Sequence, residues 1–229
     1  MLFRLLSGGD IKQALIGLVL SLPAILLCLT VHETCHGAAA YALGDDTARR
    51  QGRLTLDPMA HLDPAGFFCM LIFGFGWARP VPVNISNLTR LKNRRTSMAL
   101  VAFAGPLSNL VLAFLCYLIA IPLMLTASAD NMFLYAVTLF LTYTASLSIG
   151  LGVFNLIPVY PLDGSRILDA VLPFDVQNRM HDFVRRYQSI IMLIVIFIVW
   201  RGGLSGLIGV VGHGVQNLAY QLLRLFGLF

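Results

Sequence analysis

His32, Glu33 and His36 fall within five consecutive residues, His32-Glu33-Thr34-Cys35-His36. An α-helix turns by about 100° per residue, so side chains four apart stand only about 40° from one another. Both imidazoles therefore leave one helix face, and two neutral ring nitrogens can share one Zn2+ ion at about 2.0–2.1 Å. Glu33, one position on, points roughly 100° away from His32. From there its carboxylate reaches a water at the metal without displacing it, as a general base must. Glu33 is also the only glutamate in the chain.

A zinc that does chemistry needs a third protein ligand and one position left open. Asp163 is the candidate, in Asn155-Leu156-Ile157-Pro158-Val159-Tyr160-Pro161-Leu162-Asp163-Gly164-Ser165. Two prolines interrupt any helix there, and Gly164 permits a tight turn. Read alone, Asp163 caps a helix; beside the histidine pair it is the expected third ligand. His61, in a polar segment rich in turn residues, is either a partner of the ligands, an alternative ligand, or more plainly a surface-loop histidine. His181 and His213 read as solvent or interface residues. Cys28, Cys35, Cys69 and Cys116 form no C-x-x-C pair and sit in apolar segments, so neither a thiolate metal site nor a disulfide framework is expected. Gly105 and Asn109 lie four apart on one side of a later apolar stretch, where small and amide residues serve close helix packing or approach the site.

The elements that carry these residues are set by composition. The 229 residues are 58% hydrophobic and 12% charged, with mean hydropathy +0.80, whereas a soluble domain has about a quarter charged residues. Too little polar surface remains to face water, so an all-α polytopic membrane protein is expected. A bilayer core needs about 20 apolar residues of helix. Stretches 14–43, 98–125, 132–157 and 189–200 meet or approach that length, and 204–229 either spans or lies in the interface. Residues 66–77 are apolar but short, which favours a re-entrant or interfacial segment. About four to six transmembrane helices result, in one domain over 1–229, with a core at 14–168 and C-terminal helices at 185–229. In loop 44–97, Arg53-Leu54-Thr55-Leu56 and Val81-Pro82-Val83-Asn84-Ile85 predict a small strand pair. The first apolar run holds the histidine pair, so it is not a removable leader.

Charge placement gives the orientation. Of 16 basic residues, eight (Arg49, Arg50, Arg53, Arg79, Arg90, Lys92, Arg94, Arg95) lie between the first and second spans. Arg166, Arg179, Arg185 and Arg186 lie between the third and fourth. The positive-inside rule puts both loops in the cytoplasm. The first and third spans then end on that side, which brings His32, His36 and Asp163 to similar depth. The net charge of +5 is thereby explained by topology and calls for no nucleic acid. Ionisable groups inside a membrane helix are costly and are functional by default.

Three motifs in order resemble the site-2 protease family, in its small type lacking a PDZ domain. They are His32-Glu33-x-x-His36, Gly105-Pro106-Leu107-Ser108-Asn109, and Asn155-x-x-Pro158-x-x-Pro161-Leu162-Asp163-Gly164. The stretch from Gly52 to Gly66 and Pro80-Val81-Pro82-Val83-Asn84 is similar too, so the resemblance covers roughly residues 31–168. It implies one Zn2+ held by His32, His36 and Asp163, and Glu33 activating water to hydrolyse membrane-protein or transmembrane-peptide substrates. It further implies that Asn155 lies near the site, holding substrate backbone or the developing oxyanion. Ser165 departs from the second glycine often found there. A compact chain of this kind suits a bacterial plasma membrane, its site towards the cytoplasm. Two other classes would use the same residues: a membrane metal-ion transporter with a transit site there, and an inactive homologue acting as a binding partner. Polar residues gathered at one depth argue against the first, and an intact Glu33 against the second.

Overall fold

The computed structural model describes residues 11–73, 76–126 and 131–227. Nine α-helices follow in order among these residues: α1 Ile11–Ala42, α2 Thr47–Arg50, α3 Pro58–His61, α4 Pro64–Phe73, α5 Arg94–Thr126, α6 Met132–Asn155, α7 Asp163–Val171, α8 Phe174–Trp200 and α9 Ser205–Leu225. Four of them contain stretches long and apolar enough to cross a membrane: Val19–Ala42, Arg94–Leu125, Met132–Asn155 and Phe174–Trp200. The chain is an all-α, multi-pass membrane protein, as composition predicts.

Helix α5 is the centre of the packing and touches α1, α6, α7 and α9. Small buried residues allow that closeness: Ala113 and Cys116 of α5 meet Ala145, Ile149 and Val153 of α6, with Ile208, Val211 and Val215 of α9 laid against them. Helix α9 thus lies alongside two spanning helices. Helix α8 has no buried residue and meets the rest of the chain near its start, where His181 pairs with Asp169 and Arg95 lies over the Phe174 ring.

The end of α1 is fixed by a Schellman turn. Asp45 N–H donates to Ala40 O at 2.9 Å and Gly44 N–H to Tyr41 O at 3.1 Å, with Gly44 at φ +110°. The Asp45 side chain, fully buried, then accepts from Thr47 N at 3.1 Å, Thr47 Oγ1, Asn84 N at 2.6 Å and Asn87 Nδ2 at 3.1 Å. Burial pushes its carboxyl up, but these donors outweigh that and hold it below the usual carboxylate range. Leu88 follows into a cluster with Ala40 and Val101. The loop after α1 is therefore anchored to the same helix that carries the histidine pair.

Two expectations need correction. No β-strand occurs among the described residues. The two β-like runs do approach each other, but their backbone groups are taken by side chains. Thr55 O accepts from Thr34 Oγ1 at 2.6 Å and pairs with His61 Nε2 at 2.9 Å. Val81 N–H donates to Glu33 Oε2 at 2.9 Å, and Asn84 N–H to Asp45. These groups are engaged by side chains instead of by the opposite run. Arg53 joins the runs instead, donating to Arg79 O at 2.7 Å and Pro80 O at 3.2 Å.

The fourth spanning helix begins at Phe174, not near residue 189, so the C-terminal helices start before residue 185. Its first turns are not an apolar run, because Asp175, Arg179, His181, Asp182, Arg185 and Arg186 continue the helix in polar form. Helix α4 is ten residues long, about 15 Å of rise against a core of about 30 Å. It cannot cross, as its length predicts; residues 74 and 75 of that segment lie outside the described ones.

Candidate metal centre

Helix α1 carries His32 and His36 one turn apart, and both are buried. Their Nε2 atoms lie 3.0 Å from each other. Asp163, first residue of α7, brings Oδ2 to 3.1 Å from His32 Nε2 and 3.3 Å from His36 Nε2. Gly164 makes this placement possible, because a Cβ at that position would collide with the carbonyl oxygens of Leu156 and Ile157. Helix α7 is tied down at its far end, where Arg95 donates to Leu172 O at 2.7 Å and to Asp169 O.

These three atoms form a nearly equilateral triangle. Ligands of a tetrahedral zinc at about 2.0–2.1 Å stand about 3.3–3.4 Å apart, so the triangle is one face of such a site, drawn in slightly. Asp163 Oδ2 is buried and takes part in no hydrogen bond, an atom that a cation would satisfy. Burial pushes the Asp163 carboxyl up, but the two imidazoles beside it prevail and bring it down to about 2. The group is thus ionised and ready to ligate. Two neutral nitrogens and a carboxylate oxygen are the donor set zinc takes in hydrolytic sites. The residues present fit the metal.

Gly105 of α5 lies directly against the pair. A Cβ there would collide with His36 Nε2 and stand 2.7 Å from His32 Cε1. Behind the rings, His36 Nδ1 lies 2.7 Å from Val101 O, and His32 Nδ1 lies 3.0 Å from the Asn109 side-chain amide. Both partners come from α5, which also explains why that helix must pass so close to α1. Partners of this kind orient imidazole ligands. Glu33, half-buried beside the pair, is held by the Val81 amide.

The structure brings His32, His36 and Asp163 together, leaves Glu33 next to His32 on the same helix, and sets Asn109 against His32. Asn155 is not brought to the ligand atoms: its Nδ2 donates to Leu151 O at 3.0 Å, back onto its own helix. His61 is neither a ligand nor a surface residue. It is 2% exposed, with Nε2 facing Thr55 O at 2.9 Å and Thr34 Oγ1 at 3.4 Å. It braces the loop against α1. His181 pairs with Asp169 at 2.9 Å instead of simply facing solvent, while His213 is exposed. The Val101 carbonyl and Ser148 escape sequence reasoning. The four-residue spacing of Thr144, Ser148 and Gly152 was the available signal for Ser148, marking the face of α6 that meets α5.

A histidine pair on one apolar helix, completed by an aspartate from beyond another, gathers three groups able to hold a metal ion in a multi-pass membrane protein. The sequence pattern of Peptidase family M50 matches residues 21–199, and the chain belongs to that family. It is 40% identical over 173 residues to the protein named "Putative zinc metalloprotease YwhC" of Bacillus subtilis (strain 168), covering 75% of this chain and 77% of that one. No solved structure matches the chain. Family and relative make it a metallopeptidase, and zinc is the metal they imply.

Proposed function

We propose that this chain is an intramembrane zinc endopeptidase, with one zinc held by His32, His36 and Asp163 and with Glu33 as general base. The observation that carries the reading is the convergence of His32 Nε2, His36 Nε2 and Asp163 Oδ2 to within 3.0–3.3 Å beside the single glutamate. Zinc bound there supplies Lewis acidity, polarising the scissile carbonyl and lowering the pKa of water from 15.7 towards about 7. Glu33, steadied by the Val81 amide, accepts the proton of the attacking water and later delivers it to the leaving amine. The substrate is a membrane protein or transmembrane peptide, and its cut segment enters extended, because a helix keeps its carbonyls in its own hydrogen bonds. The positive-inside rule favours a topology with the ends of α1 and α6, and the site with them, towards the cytoplasmic side of a bacterial plasma membrane.

The test uses purified protein in liposomes with a fluorogenic transmembrane peptide. Glu33→Gln should keep its zinc and lose cleavage by about 10²–10⁴-fold. Full activity in that variant refutes the base assignment. Metal flux across the liposome without peptide cleavage would turn the reading to a transporter.

A further inference from the structure

Asn109 and Ser148 stand behind His32, on the side away from the converging ligand atoms, and both are fully buried. Ser148 Oγ donates to the Asn109 backbone carbonyl at 2.9 Å and lies 3.4 Å from Asn109 Oδ1. The Asn109 amide nitrogen lies 3.0 Å from His32 Nδ1. Gly152, one turn beyond Ser148, lets α6 come this close: a Cβ there would sit 3.1 Å from Pro106 O and 3.5 Å from Asn109 Cβ. Three helices, α1, α5 and α6, thus meet at one buried polar chain.

A neutral imidazole carries one ring proton. If His32 Nε2 is to ligate, the proton sits on Nδ1 and needs an acceptor. An amide nitrogen at that place enforces the opposite tautomer, donating to Nδ1 and leaving the proton on Nε2, aimed at the metal position. Turning the amide by about 180° exchanges nitrogen and oxygen at no cost in shape. Oδ1 then accepts from Nδ1–H, and Nδ2 donates to Ser148 Oγ, whose own hydrogen is already committed to the Asn109 carbonyl. His32 Nδ1–H and the Asn109 hydrogen that faces Ser148 then each have an acceptor, and His32 Nε2 is bare.

We infer that Ser148 orients the Asn109 amide so that its oxygen fixes the His32 tautomer that binds zinc. Asn109 and Ser148 are positioning residues, and the inference rests on His32 being a ligand. Asn109→Asp keeps the acceptor and forms a carboxylate–histidine pair, whereas Asn109→Leu keeps only the approximate volume.

The experiment is chelator competition for zinc on the purified full-length chain, with His32→Ala as control and melting curves to report folding. Wild type should bind one zinc; Asn109→Leu should bind about 10–100-fold more weakly. Asn109→Asp should recover most of that loss, and Ser148→Ala should lie between wild type and Asn109→Leu. In zinc-loaded wild type with 15N-labelled histidine, the His32 Nδ1 should be protonated. Wild-type zinc affinity in Asn109→Leu, no recovery in Asn109→Asp, or a bare Nδ1 would each overturn the inference. Should Asn109→Leu not fold, Ser148→Ala and the ring-nitrogen spectrum decide. A wild type that binds no zinc would overturn the ligand assignment itself and this inference with it.

Discussion

A single methyl group at position 105 would occupy the space in which His36 Nε2 lies. Gly105→Ala is therefore expected to lose zinc, and cleavage with it, while its melting temperature in the metal-free state stays close to wild type. A variant that keeps one tightly bound zinc would show that the ligands face elsewhere. Acidity provides a second test at this scale. Metal binding requires bare imidazoles and an ionised carboxylate, so affinity falls as pH falls. Asp163, held at about 2 by its histidine neighbours, stays ionised through mild acid. Zinc release on acidification should thus follow imidazole protonation and be complete well above pH 2, as metal content across a pH series would show. Release that tracks a carboxylate near pH 2 would contradict the geometry.

Elements bring these residues together, and here the sequence is legible unevenly. The histidine pair could be read because its spacing is local, within one helical turn. Asp163 could be read as the partner because charge placement set the depth of both helix ends. The Val101 carbonyl could not, since a backbone acceptor leaves no mark in residue type, nor could the choice between Asn155 and Asn109 as the amide nearest the ligands. The predicted strand pair failed for a related reason: Glu33, Thr34, His61 and Asp45 consume the backbone groups a ladder would use, and those contacts are 6–48 residues apart in sequence. Two variants test the elements. Gly164→Ala should displace α7 from the end of α6, lowering both melting temperature and zinc affinity; an unchanged zinc affinity would mean that Asp163 is placed by something else. Asp45→Asn removes acceptors from a buried cluster and should cost about 1–3 kcal/mol of stability. Because the Asp45 carboxyl is depressed in the folded state, its contribution is complete above the ordinary carboxylate range, near pH 4, and is lost as pH falls through the lower folded value. Melting curves should show a shallower acid-side decline in Asp45→Asn than in wild type.

At the scale of the whole molecule, a compact helical bundle does two things that oppose each other. It keeps an apolar surface along its spanning helices, and it gathers two histidines and a carboxylate at one largely buried point. Isolated, such groups would be expensive in a membrane; drawn round one cation, they satisfy one another. The central claim is that a single zinc joins α1 to α7 through His32, His36 and Asp163. Zinc-edge X-ray absorption on the purified protein tests it most directly. One zinc per chain is expected, with two imidazole nitrogens and a carboxylate oxygen at about 2.0–2.1 Å, and this signal should vanish in both His36→Ala and Asp163→Ala. Protein free of zinc, a sulfur shell near about 2.3 Å, or an undiminished signal in either variant would contradict it.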